Sequence, residues 1–147
     1  MIAITLFLAA ATLLPAQNQT VEQLAAVRAE REPEKRYWKA LELAASAAAA
    51  ARTKYEAGLL EEFRSSLILT KDAVVLCDET LRGTGKDPAK NPKHFKRAEQ
   101  KIRDIIRKLS GLHDAVSIDD RAPVRDTRDA LQKLQEELVT DIVGRRN

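Results

Sequence analysis

The chain has 147 residues, a formal net charge of +3 and 44% hydrophobic residues, so it is long enough for one domain of ordinary size. Its single cysteine, Cys77, excludes an internal disulfide. Aromatic residues make up only 4% of the chain, which disfavours a large aromatic-lined ligand cleft, and the composition as a whole favours helices over strands.

Residues 2–14 form an uncharged apolar run at the N-terminus, followed by Pro15 and Ala16 and then by a polar chain. This layout is typical of a secretory signal peptide, and the run is shorter than the roughly 20 apolar residues of a membrane span. We therefore predict a signal peptide over residues 1–16, cleaved after Ala16, and an exported protein of the periplasm or the extracellular space. An uncleaved membrane anchor and an apolar first helix of the fold are the alternatives.

Residues 17–33 are predicted to form a short N-terminal helix or a linker. Thr20, with Gln23 three residues later, fits a capping box that would open such a helix. Pro33 would end it, because proline restricts the residue before it, and would itself be the first residue of the next helix.

Residues 34–144 are predicted to form a helical-bundle domain built from four long helices. Gly58 would close the first of them, and Asn91 with Pro92 would open the third. Asp119 or Asp120 would cap the fourth, which is expected to end at Gly144. The predicted spans of the first three long helices are 33–57, 59–82 and 92–116.

Apolar residues recur in each long helix at alternating spacings of three and four, which is typical of helices that pack along a seam. In the first helix the seam is mostly alanine: Tyr37, Leu41, Ala44, Ala48, Ala51 and Tyr55. The second has Leu60, Phe63, Leu67, Thr70, Val74, Cys77 and Leu81, with Ile68, Val75 and Leu76 widening its apolar face. The third has Phe95, Ala98, Ile102, Ile105, Leu109, Leu112 and Val116, and the fourth has Val124, Thr127, Leu131, Leu134, Leu138 and Ile142.

These helices are nearly equal in length, and two of the three joints between them are short. Short joints make consecutive helices antiparallel neighbours. The sequence therefore predicts an all-α protein, an up-down-up-down antiparallel four-helix bundle that follows the N-terminal signal segment.

The few residues that could carry chemistry do not form a recognisable site. Neither His94 nor His113 has a glutamate three residues earlier, as a di-iron site in a bundle requires, and the haem-attachment motif is absent. Cys77 falls on a seam, where a thiol is buried and inert; a disulfide-linked dimer is the alternative if that thiol is exposed. We predict no enzymatic activity, no metal, no cofactor and no small-molecule substrate.

Positive charge is concentrated in one segment. Residues 82–108 contain 10 basic and 3 acidic residues, whereas the segments 18–81 and 109–147 each carry a balance of −2. At 100° per residue the basic side chains form a stripe opposite the apolar seam of the third long helix. The candidate anion-binding residues are Lys90, Lys93, Lys96, Arg97, Lys101, Arg103, Arg107 and Lys108.

The function predicted first is that of an exported, non-enzymatic helical-bundle protein with a structural or protein-binding role in the periplasm or cell envelope. The sequence does not identify the protein partner. The alternative is a binder of anionic surfaces through the basic face of residues 92–116, the surface being membrane headgroups, polysaccharide or nucleic acid. A solvated face without a ligand is the third interpretation of the same charges.

Overall fold

The computed structural model describes residues 15–144, and the side chains of residues 17–144. This part of the chain is all-helical, which confirms the predicted class. It contains five α-helices: α1 (Pro15–Arg28), α2 (Pro33–Glu56), α3 (Leu60–Gly83), α4 (Pro92–Ala115) and α5 (Arg121–Val143). A short 3-10 turn, Ile118–Asp120, precedes α5. None of these helices combines the length and apolarity needed to cross a membrane.

The N-terminal helix α1 begins earlier than the capping box predicts. Most of the predicted signal peptide, residues 1–14, lies outside the described residues. Thr20 lies inside α1, where its hydroxyl donates to the carbonyl oxygen of Gln17 at 2.9 Å, so the prediction that Thr20 caps the helix is wrong. Leu24 and Val27 pack α1 against the core, and α1 contacts both α3 and α2.

The ends of the long helices follow the local signals in the sequence. Pro33 and Pro92 are the first residues of α2 and α4, and Gly58 adopts a positive φ of 76° directly after α2. Asn91 and Asp120 occupy the cap positions before α4 and α5, yet neither side chain makes a capping hydrogen bond. The predicted cap positions are therefore correct, but the side-chain hydrogen bonds expected of these caps are not formed.

The predicted seams form one hydrophobic core, in which two residues of α3 were misplaced. The largest fully buried side chains are Tyr37, Phe63, Phe95, Leu41, Leu67, Ile102, Ile105, Leu109, Leu131, Leu138, Val74 and Val124. Leu60 and Ile68, in contrast, are 38% and 57% exposed. The second apolar side of α3 carries Leu69 instead of Ile68, because α1 covers α3 on that side.

The helices joined by short connections make the largest contacts. α2 packs most extensively against α3, through the buried alanines of α2, and α4 against α5. The contacts of α2 with α4, and of α3 with α5, are smaller, and α3 and α4 touch at few positions. The long connection 84–91 allows this, because it lets α4 lie beside α2 although α3 precedes it in the chain.

Candidate anion-binding site on α4

The predicted basic residues lie on the side of α4 that faces away from the core. Seven of the eight are exposed and Lys101 is partly buried, whereas Phe95, Ile102 and Ile105 on the opposite side are buried. Lys90 lies in the connection just before α4. The stripe therefore exists as a continuous surface, although its members differ in what they contact.

The three arginines of the stripe are engaged with neighbouring side chains. The guanidinium carbon of Arg97 lies 3.9 Å from the centre of the Trp38 ring on α2, a cation–π contact. Arg103 donates to Glu99, and Arg107 donates to Asp104 at 2.9 Å. Because the last two form ion pairs with carboxylates, they add little net positive charge to the surface.

Glu99 is the neighbour of the candidate residues that the sequence analysis missed. Its side chain is only 7% exposed, and it accepts hydrogen bonds from Arg103 of α4 and from the side-chain amide of Gln135 of α5, the latter at 2.7 Å. The hydrogen bond to Glu99 raises the pKa of the Arg103 guanidinium. The spacing of four residues between Glu99 and Arg103 is a recognisable helical ion-pair signal and could have removed Arg103 from the candidates.

The lysines of the stripe, in contrast, have no carboxylate within 4.0 Å among the described residues. Unneutralised charges of one sign on one surface raise the local positive potential and attract anions. The lysines concerned are Lys90, Lys93, Lys96, Lys101 and Lys108.

Four of these lysines line two open concavities along α4. The first, of about 370 Å³, lies at the start of the helix and is lined by Lys86, Asn91, Pro92, Lys93, His94 and Lys96. The second, of about 380 Å³, lies between α4 and α2 and is lined by Ala45, Lys101, Asp104, Ile105, Arg107 and Lys108. Each concavity therefore offers at least two ammonium groups to a ligand, and in the second Asp104 adds one carboxylate.

A hydrogen-bond chain fixes the start of α4 to α2. The Tyr37 hydroxyl lies 2.8 Å from Nδ1 of His94, and Nε2 of the same ring lies 3.1 Å from a carboxylate oxygen of Glu34. Burial of Tyr37, partly offset by the nearby Arg97 charge, raises the pKa of its phenol, which is therefore a donor at neutral pH. With the phenol as the donor to Nδ1 of His94, Nε2 is the ring nitrogen whose hydrogen faces Glu34. This chain holds the first concavity in place.

The other candidate residues for chemistry are a buried cysteine and two histidines that lie far apart. Cys77 is buried, as predicted, and burial raises the pKa of its thiol, so the reactive thiolate is suppressed. His94 and His113 are 19 residues apart on α4, which corresponds to about 28 Å of helix. Within residues 15–144 no group of three or more His, Cys, Asp or Glu side chains is placed to hold a metal ion.

Comparisons with protein-family models, curated proteins and solved structures find no significant match to this chain.

Proposed function

We propose that this chain is an exported, non-enzymatic protein of the periplasm or cell envelope that binds an anionic surface through α4. The observation that supports the anionic ligand is the row of lysines on one side of α4 without carboxylate partners among the described residues. The absence of enzymatic activity is proposed because the thiol of Cys77 is buried and the two histidines lie far apart along α4.

The export proposal depends on the N-terminal sequence. The apolar run 2–14 has the length and position of a signal peptide, and cleavage after Ala16 would leave Gln17 as the first residue. When the full chain is expressed in a bacterium, we expect the exported protein to have the mass of residues 17–147. Leu8→Arg, which places a charge inside the apolar run, should block export and processing. Recovery of the full-length mass outside the cytoplasm would instead indicate an uncleaved anchor.

We also propose that α2, α3, α4 and α5 form an up-down-up-down antiparallel four-helix bundle behind the signal segment. The short joints and the extensive α2–α3 and α4–α5 packing support it. The contact of Tyr37 with His94 joins residues near the N-terminal ends of α2 and α4, and the contact of Tyr55 with Ser117 joins residues near the other ends of these helices. In this arrangement α2 and α4 run in the same direction, and the basic stripe lies beside α2 along its length.

A structural role, with another protein as the partner, is the second candidate function. It is favoured by the mixed charge around the stripe, where Asp104 interrupts the lysines and Glu34 lies beside the first concavity. A surface with both positive and negative side chains is complementary to another folded protein whose surface also carries both signs of charge. The anionic-surface proposal is distinguished from it by binding to simple polyanions and vesicles, which carry only negative charge.

The decisive experiment compares two double variants with the same change in net charge. Lys93→Ala with Lys101→Ala removes one lysine from each concavity, whereas Lys71→Ala with Lys133→Ala removes two exposed lysines of α3 and α5. With each lysine near an anionic surface worth about 1 kcal/mol, the first variant should lose about tenfold or more in affinity and the second less than twofold.

Binding would be measured by co-sedimentation with phosphatidylglycerol-containing vesicles and by fluorescence titration with polygalacturonate, each over a series of salt concentrations. We expect added salt to weaken binding, because exposed charges are screened within about 10 Å at 0.1 M. An equal loss in both double variants would contradict the assignment to α4, since net charge alone would then explain the binding.

A further inference from the structure

We infer that the ligand of the α4 face is a linear acidic polysaccharide that lies along the helix and contacts both concavities at once. This inference rests on the proposed function and deepens it by naming the class of anion. It depends on the length of the basic row, on the side chains that border it, and on the separation of the two concavities.

The row of unpaired charge is long and follows the axis of α4. Lys93 and Lys108 are 15 residues apart, which corresponds to about 22 Å of helix. Carboxylates border the row on the α2 side: Glu34 lies against His94, and Glu42 follows Trp38 by one helical turn on the same face of α2. A bilayer or a nucleic acid duplex presents negative charge over a broad surface and would bring it close to these carboxylates as well. A single flexible chain can follow the row and avoid them.

The surroundings of the row lack the groups that membranes and single-stranded nucleic acids use. Within residues 17–144, the exposed large apolar side chains are Val21, Leu59, Leu60, Ile68, Ile118, Val139 and Val143, and none lies on α2 or α4. An interfacial helix needs such side chains to anchor it among lipid headgroups. Bases need a free aromatic face for stacking, but Arg97 covers Trp38 and Tyr37 is buried.

Arg97 connects the two concavities. It lies between Lys93 and Lys101 in the helix, and its contact with the Trp38 ring holds the guanidinium in a fixed position. A guanidinium placed in this way retains its charge and its forked donors, which match the two oxygens of a carboxylate. A chain with acidic groups at regular intervals would therefore meet the charge of Arg97 between the lysines of the first concavity and those of the second, where Asp104 also lies.

The separation of the concavities makes chain length the measurable variable. The lysines of α4 that line them are centred near residues 95 and 105, about 15 Å apart along the helix. A chain that reaches both sites converts the second contact into an intramolecular one and gains affinity without any new kind of contact. A shorter chain occupies one site at a time.

The experiment titrates the purified protein with oligogalacturonates of increasing, defined length at low salt. We expect affinity to rise at least tenfold at the length that first spans both concavities, and then to change little. Lys93→Ala with Lys96→Ala, and separately Lys101→Ala with Lys108→Ala, should remove this step, so that long chains bind like short ones. Lys71→Ala with Lys133→Ala is the matched control and should retain the step. Circular dichroism melts verify that all variants are folded.

Other outcomes overturn the inference in distinguishable ways. Equal affinity for all lengths, with only one lysine pair contributing, would overturn the two-site arrangement and leave anion binding intact. Tighter binding to phosphatidylglycerol vesicles, duplex DNA or oligothymidylate at the same salt concentration would overturn the choice of polysaccharide while the proposed function stands. Absence of salt-sensitive binding to all four probes would overturn both.

Discussion

Replacing Ile105 by alanine is expected to lower the free energy of unfolding by about 2–5 kcal/mol, because the cavity left in a packed core is only partly filled by its neighbours. Ile105 is 1% exposed and lies on the core side of α4. Urea unfolding followed by circular dichroism measures the change. A loss of this size should also lower the melting temperature by about 10 °C.

Ile68 provides the matched control for this substitution. It is the same residue type, also inside a long helix, but more than half of it is exposed. Ile68→Ala should change the stability by less than about 0.5 kcal/mol, and alanine's higher helix propensity favours a small gain. Equal losses in the two variants would contradict the burial assigned to α3 and α4.

The second large effect is expected when the α2–α3 interface is overfilled. Ala44 is fully buried in the helix that packs most extensively against α3. Ala44→Leu adds three carbon atoms to a closely packed interface and should cost about 1–3 kcal/mol or more. Leucine and alanine both favour helices, so the loss would report packing and not helix propensity. Thermal unfolding and size-exclusion chromatography would measure stability and compactness.

Ala49→Leu is the control, because Ala49 is exposed on the same helix. Its stability should stay within about 0.5 kcal/mol of the unsubstituted protein. If Ala44→Leu were equally well tolerated, α2 and α3 would have to be further apart than their packing indicates. The alanine-rich seam would then be a product of helix propensity alone.

The helix boundaries could be predicted because local chemistry determines them. Proline at the first position and glycine with positive φ after the last turn act within a few residues, and Pro33, Pro92 and Gly58 all behave in this way. The seams of α4 and most of α2 and α5 were also predictable, since each of these helices buries one stripe. Periodicity alone identifies such a stripe.

The errors in the predicted burial and contacts arise where they depend on a helix other than the one that carries the residue. Ile68 and Leu69 are both strongly apolar, but Leu69 lies on the side of α3 that faces α1 and α2 and is buried, whereas Ile68 is exposed. In the candidate site, the cation–π contact of Arg97 could not be predicted for the same reason. Its aromatic partner, Trp38, lies on another helix, α2, 59 residues earlier in the chain. The pairing of Arg103 with Glu99 lies within one helix and was accessible from spacing, because side chains four residues apart meet on a helix surface.

The position of α4 beside α2 has a consequence for how the chain assembles. The two largest interfaces join helices that are consecutive in sequence, whereas α2 and α4 meet across all of α3 and the connection 84–91. Contacts between close neighbours in sequence form faster, because less chain entropy is lost in closing the intervening loop. We therefore expect two helical hairpins to form first and to dock afterwards. The lysine row on α4 would then reach its final place beside α2 only in the last step of folding.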